Sequence, residues 1–196
     1  EIVVGNKDRI VCASTAAGPA FEGMNISMGM RAVTGAISSV NTEDGKIKVA
    51  VIGNTQPKGI CGSGLIDAVA VFRESGLIGT FGEITSGEES LRVAGRVTLT
   101  QKDINEFQLA KAAVAAGLRI LTEELSTDLC QVEKIYIAGG FGNYLNPRHA
   151  VETGMIETDE EKIRTMGNTA LIGAKMFLYE NERLIEEILK KTHHIH

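Results

Sequence analysis

Residue types and spacing that could do chemistry are concentrated in three glycine-rich segments of this 196-residue chain. The most informative one follows a short β-branched and aromatic run over 135–137 and reads Gly139-Gly140-Phe141-Gly142-Asn143. A strand that ends in glycines lets a ligand approach the backbone closely, because no side chain stands in the way. An adenine or a ribose could rest there. The alternative is that the glycines only ease the bend from strand to loop.

The other two glycine-rich segments could bind an anion. Ser14-Thr15-Ala16-Ala17-Gly18 follows the first predicted strand, and small residues in a tight hairpin can aim successive backbone N–H groups at a phosphate. Gly62-Ser63-Gly64 opens a predicted helix, whose free N–H groups and dipole favour an anion. The structural alternatives are a plain β-turn for the former and a close strand–helix contact for the latter.

A polar pair on a predicted long helix is the remaining candidate. Gln108 and Lys111 are three residues apart and so lie on one helical face. They could contact a nucleotide ribose or base, or they could belong to a solvated face. The chain has no P-loop, nucleophile elbow or His-Glu-x-x-His motif, so no catalytic residue and no metal ligand is assigned. Asp67 is expected to serve the electrostatics of a helix start.

Composition excludes several classes of function. A net charge of -5 gives no basic patch for nucleic acid. No apolar run is long enough for a transmembrane helix. The odd number of cysteines (Cys12, Cys61 and Cys130) without a Cys-x-x-Cys pair argues against an iron–sulfur or zinc site and fits a cytoplasmic location. Because the chain lacks an initial methionine, we expect it to be part of a longer protein.

Hydrophobic periodicity predicts an α/β domain in which three strands precede most of the helices. The first expected elements are strands over 9–14, 25–40 and 46–53, with a hairpin turn at 41–45. They are followed by a helix over 65–74 capped by Gly76, a surface loop or insertion over 77–97, a capped helix over 100–125, a strand over 135–138 and a loop around Pro147. The last two are a helix from Asn168, whose small residues Ala170, Gly173 and Ala174 lie on the sheet, and a helix from Asn181 with Leu184, Ile185, Ile188 and Leu189 inward.

Five strings, in order over nearly the whole chain, resemble the C-terminal part of the reductive activators of corrinoid-dependent methyltransferases. They are A-S-T-A-A-G-P-A-F-E-G-M (13–24), G-I-C-G-S-G-L-I-D (59–67), L-T-Q-K-D-I-N-E-F-Q-L-A-K-A-A (99–113), I-Y-I-A-G-G-F-G-N-Y-L (135–145) and G-N-T-A-L-I-G-A (167–174). The resemblance implies an actin-like, ribonuclease H-like lobe, with a mixed sheet of βββαβα order. It assigns Ser14–Gly18 to a phosphate loop and Gly139-Gly140 to the adenosine motif, with Gln108 and Lys111 as adenosine contacts.

Proteins of that family use ATP with Mg²⁺ to drive an electron onto an inactive cobalt(II) corrinoid protein and return it to cobalt(I). The resemblance therefore implies a corrinoid protein as partner, with a homodimer as a further expectation. The family's first phosphate loop and the cysteines of its iron–sulfur segment are not found here. We expect residues 1–196 to be a single lobe that binds nucleotide weakly alone, with the cluster in the missing segment. A small-molecule kinase lobe and a non-catalytic dimerisation or docking module remain as alternatives.

Overall fold

Four small β-sheets and six α-helices form the part of the chain that this computed structural model describes, residues 1–139, 144–179 and 182–195. In chain order the elements are β1 (Ile2–Gly5), β2 (Ile10–Ala13), α1 (Gly18–Phe21), β3 (Ala36–Glu43), β4 (Lys46–Val51), β5 (Gly59–Ile60), α2 (Gly62–Glu74), β6 (Ser90–Ala94), β7 (Val97–Thr100), α3 (Gln101–Glu124), β8 (Ile135–Ala138), α4 (Pro147–Glu152), β9 (Ile163–Gly167), α5 (Thr169–Tyr179), α6 (Glu182–Lys191) and β10 (Thr192–His194). Short 3₁₀ turns lie at Leu129–Gln131 and Glu160–Lys162.

The sheets contain both parallel and antiparallel pairs. Their strand orders are β1-β2-β10, β4-β3-β5, β6-β7 and β8-β9. β10 and β5 run parallel to β2 and β3, and β8 runs parallel to β9, whereas the hairpin pairs are antiparallel. The prediction of a mixed α/β structure is therefore confirmed, but the described strands form four sheets, and the single sheet of βββαβα order is not seen among them.

The hairpin β3–β4 matches its prediction at the turn. Asp44 and Gly45 connect the strands with φ of 50° and 71°. Two consecutive positive φ values are those of a type I′ turn, whose twist matches that of the flanking strands. The Asp-Gly step therefore determines the register of the pair.

The strand predicted over 25–40 is wrong over its first eleven residues, which form turns, and β3 begins only at Ala36. A side chain on Gly29 would overlap the Gly23 carbonyl, so this segment folds back closely on itself. The Met28 carbonyl accepts from Ile60 N at 2.9 Å, and Met30 N donates to the Ile60 carbonyl at 2.9 Å. The alternating apolar residues thus belong to a packed loop rather than to a strand.

α2 is the most completely buried helix of the described chain. It begins at Gly62, three residues before the predicted start, and all its residues as far as Phe72 are buried. The predicted cap at Gly76 is confirmed: Gly76 has φ of 72°, Gly76 N donates to the Arg73 carbonyl at 3.0 Å, and Leu77 N donates to the Phe72 carbonyl at 2.8 Å. This pair of bonds is a Schellman motif, which satisfies carbonyls at the helix end.

The segment 77–97 is not the surface loop that the sequence predicts. It contains β6, which pairs with β7, and its residues Ile78, Leu91 and Val93 lie in the main hydrophobic core. Whether the segment is an insertion relative to other lobes stays a prediction.

α3 begins at the predicted capping box. Thr100 Oγ1 accepts from Asp103 N at 3.2 Å, and Asp103 Oδ2 accepts from Thr100 N at 2.8 Å. The Asp103 carboxylate is fully buried and also accepts from Ser27 N at 2.6 Å through its other oxygen. One carboxylate therefore caps the helix and holds the loop that precedes β3.

Between residues 135 and 170, one predicted element is wrong and two are confirmed. A loop was expected around Pro147, but this proline begins α4, where its fixed φ suits the first helical turn, and the Asn146 side chain accepts from Arg148 N at 3.1 Å. β8 and the start of α5 are confirmed, since the Asn168 side chain accepts from Leu171 N at 3.0 Å.

The prediction that α5 lies on the sheet is wrong. None of its residues is buried, and a Cβ on Gly173 would meet no described atom within 4 Å outside its chain neighbours and the backbone of α5 itself. The predicted inward face of α6 is also open, with Leu189 62% exposed. Although α5 is apolar, none of the helices in the described ranges is long and apolar enough to cross a membrane.

Asp103→Ala should lower the free energy of unfolding by about 3 kcal/mol, because the substitution leaves the Ser27 and Thr100 N–H donors without an acceptor. Urea unfolding measures the change. Asp128→Ala is the matched control: Asp128 caps an exposed 3₁₀ turn at Gln131, so the loss there should be about 1 kcal/mol or less. Equal losses in the two variants would contradict the role of Asp103.

Candidate functional site

The segment Ser14–Gly18 connects β2 to α1, so the expected hairpin between two strands is wrong. Ser14 and Ala16 are exposed, while Ala17 is buried with Ala20 and Ala110 in a small apolar cluster. Ser14 Oγ donates to Glu1 Oε1 at 2.7 Å. We call this segment the Ser14 turn. Ser14 and Ala16 of this turn face solvent, whereas Ala17 packs against the protein.

The Ser14 turn packs against α3 at Gly117. Gly117 is buried, and a Cβ there would lie 2.6 Å from Thr15 Cγ2 and 2.9 Å from Ile2 Cδ1. Nearer to the start of α3, the Phe107 and Phe21 rings meet edge to face with centroids 6.3 Å apart. One face of α3 therefore carries both the turn and α1.

The segment Gly62–Ser63–Gly64 is covered by β3. All three residues are buried, Ser63 Oγ donates to the Ser38 carbonyl at 2.8 Å, and a side chain on Gly64 would overlap the Ile37 carbonyl. The close strand–helix contact therefore accounts for these residues. Their assignment to a nucleotide stays a prediction.

Gln108 and Lys111 both donate to backbone carbonyls of the protein. Gln108 Nε2 lies 2.9 Å from the Phe81 carbonyl, and Lys111 Nζ lies 2.7 Å from the Thr153 carbonyl. Burial lowers the pKa of the Lys111 ammonium, and the nearby Arg73 guanidinium lowers it further, while Glu157 opposes the shift. Neither side chain belongs to a simple solvated face.

These two side chains line a small pocket of about 40 Å³, which adjoins a wider cleft of about 340 Å³ between α2, the turn 78–80 and the end of α4. Arg73 lines both, and its Nη1 donates to the Glu152 carbonyl at 2.9 Å. Arg73 and Lys111 thus bind the last carbonyls of α4, where cations interact favourably with the helix dipole.

Gly139 ends β8 in a conformation that favours glycine. Its φ is 87°, its N–H donates to the Gly167 carbonyl at 2.6 Å, and a Cβ placed there would meet no described atom within 4 Å apart from those of Gly139 and its chain neighbours. A left-handed glycine position suits close approach of a ligand to the backbone. The other residues of the predicted motif, Gly140, Phe141, Gly142 and Asn143, lie outside the described residues.

Helix geometry separates some of the predicted site residues. Gln108 precedes Gly117 by nine residues, which at 3.6 residues per turn puts the two on faces of α3 that are about 180° apart. The Ser14 turn lies on the Gly117 side, and the pocket of Gln108 and Lys111 lies on the other side. Among the described residues, the predicted positions therefore occupy separate surfaces rather than one pocket.

A buried acid–histidine pair was missed by sequence reasoning. Asp67 does not serve the helix start: it is fully buried, its Oδ1 lies 2.7 Å from His149 Nδ1, and its Oδ2 accepts from Val40 N at 3.0 Å. When Asp67 is ionised it can only accept, so Nδ1–H of His149 donates. The partners are 82 residues apart in sequence, and no local spacing could have revealed them.

Comparison with known proteins gives a match over the whole chain. A family model described as "C-terminal domain of RACo the ASKHA domain" matches residues 1–196. A solved structure, "Reductive activator for corrinoid,iron-sulfur protein", superposes with a TM-score of 0.85 and 36% identity over 98% of this chain and 35% of that one. The resemblance found in the sequence is confirmed.

Two curated relatives carry names of the same kind. The chain is 38% identical over its whole length to "Corrinoid activation enzyme RamQ" of Eubacterium limosum. It is 32% identical, over 94% of its length, to "[Co(II) methylated amine-specific corrinoid protein] reductase" of Methanosarcina barkeri. In each case it spans 38% of the length of the relative.

His149→Ala should lower the free energy of unfolding by about 3 kcal/mol or more, because it leaves the buried Asp67 carboxylate without its partner. Arg148→Ala is the matched control, since that neighbouring side chain forms exposed, solvent-screened ion pairs with Glu74 and Glu152 and should leave the stability almost unchanged. Both are measured by denaturant unfolding. Similar losses in the two variants would contradict a stabilising Asp67–His149 pair.

Lys111 should make the folded state more stable as the pH rises towards 10.5, the ordinary lysine pKa. Because its pKa is lowered on folding, the unfolded chain binds more protons just below that pH, and stability then increases with pH. Lys111→Met should remove this contribution. The measurement is the difference in unfolding free energy between wild type and variant across the alkaline range, and a difference that does not change with pH would contradict the expectation.

Proposed function

We propose, because the chain belongs to the family of C-terminal ASKHA domains of RACo, that it is the nucleotide-binding, actin-like lobe of an ATP-dependent reductive activator. The whole protein would return a cobalt(II) corrinoid protein to cobalt(I). The observation that carries the proposal is the match of the family model to all of residues 1–196. The names of the two curated relatives and of the solved structure support it.

The Ser14 turn and Gly139 are the positions where described geometry best supports a nucleotide. Ser14 and Ala16 are exposed in this turn, and successive backbone N–H groups of small residues suit phosphate oxygens. Gly139, at the end of β8, has a positive φ that suits close approach of an adenosine to the backbone. The proposed adenosine site also includes four residues that are assigned to it from the sequence alone: Gly140, Phe141, Gly142 and Asn143.

The remaining proposed contacts have protein partners already. Gly62, Ser63 and Gly64 pack on β3, and the Gln108 and Lys111 side chains donate to carbonyls. A nucleotide contact from Gln108 or Lys111 would require its side chain to leave its present acceptor. We therefore rank these five positions below the Ser14 turn.

ATP with Mg²⁺ would supply binding and hydrolysis energy rather than electrons. A ligand can shift a conformational equilibrium only by binding one state more tightly than the other. Nucleotide held by the Ser14 turn would thus favour the lobe arrangement in which an electron can pass from reductant to cobalt(II). Each turnover of cobalt consumes one electron, and the corrinoid is the substrate that is reduced.

An iron–sulfur cluster does not fit the cysteines of this chain. Cys12 is partly buried, Cys61 is buried and Cys130 is exposed, and all three are free. No group of three or more histidine, cysteine or acidic side chains that could hold a metal occurs within the described ranges. We propose that the cluster of the whole protein lies outside residues 1–196 and that the protein works in the cytoplasm, where thiols stay reduced.

The kinase alternative would require a carboxylate that faces the transferred phosphate. Among the described residues, the fully buried carboxylates are Asp67 and Asp103, and they accept hydrogen bonds from Val40 N and Ser27 N, respectively. No described observation favours this alternative over the activator.

We also propose a homodimer, besides the complex with a corrinoid protein. Light scattering of the full-length protein measures the mass that tests for it.

The full-length gene product, mixed with a one-electron reductant, Mg-ATP and a cobalt(II) corrinoid protein, should produce the absorbance of cobalt(I). Omission of ATP is the control and should abolish the change, because the nucleotide drives the transfer in our proposal. The absorbance spectrum of the corrinoid is the measurement. Reduction that proceeds equally without ATP would sink the proposed function.

A further inference from the structure

A glycine in the interior of α3 stands at an unexpected place. Glycine is less favourable than alanine inside a helix, so an interior glycine needs a reason in packing or function. Gly117 lies seven residues before the end of this 24-residue helix and is buried. It is not part of the polar pair that the sequence singles out on α3, and the proposed function does not use it.

The reason is the approach of the Ser14 turn. A Cβ on Gly117 would lie 2.6 Å from Thr15 Cγ2, closer than two carbon atoms can stand without one moving. It would also lie 2.9 Å from Ile2 Cδ1, in the strand that pairs with β2. Thr15 is branched at Cβ and has few alternative rotamers, so it cannot easily turn away.

The same face of α3 is made of small residues where the turn continues into α1. Ala110 lies two helical turns before Gly117 and packs with Ala17 and Ala20. Small side chains let the turn and α1 approach the helix axis closely. The position of the turn is therefore determined by the surface of α3 rather than by its own sequence alone.

We propose that Gly117 is a positioning residue for the proposed phosphate site. Because Gly117 has no side chain, Thr15 packs directly against α3 at this point, and this packing site, which we call the seat, fixes the backbone of the Ser14 turn. The ligand class is the polyphosphate of a nucleotide. This inference rests on the proposed function for its consequence in binding. The seat itself can be tested without any nucleotide.

Gly117→Ala in the full-length protein should weaken Mg-ATP binding about tenfold, since displacement of a binding backbone by about 1 Å has large effects. Calorimetric titration measures it. Gly173→Ala is the matched control, because it also replaces a glycine in a helix, but no described atom lies near its new Cβ. It should leave the affinity unchanged. Equal affinity of the two variants would overturn the proposal.

Thr15→Ser tests the mechanism within the same protein. It removes Cγ2 but keeps the hydroxyl, so the double variant Thr15→Ser/Gly117→Ala should regain most of the affinity that Gly117→Ala loses. A merely structural effect of the alanine on α3 would not respond to a change in the turn. A double variant as weak as Gly117→Ala would therefore overturn the seat.

Hydrogen exchange without nucleotide separates failure of this inference from failure of the proposed function. Gly117→Ala should speed exchange of the amides of residues 14–18, and Gly173→Ala should not. If wild type does not bind Mg-ATP, the proposed function fails, and exchange alone decides about the seat. If Gly117→Ala does not fold, Thr15→Ser alone should still speed exchange in the turn, because it loosens the seat; unchanged exchange would overturn the inference.

Discussion

The fold depends on the close contact between α2 and β3. The contact requires a glycine at position 64, where the helix meets the Ile37 carbonyl. It also buries Asp67, whose carboxylate accepts a hydrogen bond from Val40 N in β3. Most of the main hydrophobic core forms around this pair of elements. Because burial of apolar surface is the main driving force of folding, the segments that add residues to this core, such as β6, β7 and α4, depend on this contact.

Features with local causes were predictable from the sequence. The capping box at Thr100 and Asp103, the Asp44-Gly45 turn and the end of α2 at Gly76 each depend on a few neighbouring residues. Features with distant causes were not. The alternation of Ile26, Met28 and Met30 imitates a strand, but this segment is held by β5 and by Asp103, which are remote in sequence.

The candidate site divides in the same way. Gly139 has a positive φ, which is a local backbone requirement that glycine meets, whereas its predicted role beside an adenosine stays a prediction. The partners of Gln108 and Lys111 are carbonyls 27 and 42 residues away, so their present role could not be seen from helical spacing. The glycines at 62 and 64 match the anion pattern and the packing pattern equally well in sequence, and only the position of β3 distinguishes the two.

α3 touches different partners on its opposite faces, and this has a mechanical consequence. The helix has 24 residues and is therefore about 36 Å long. A tilt of about 5° moves one end of a rod of that length by about 3 Å relative to the other. Such a tilt would move the Thr15 contact at Gly117 and the Lys111 contact with the Thr153 carbonyl, just after α4, at the same time.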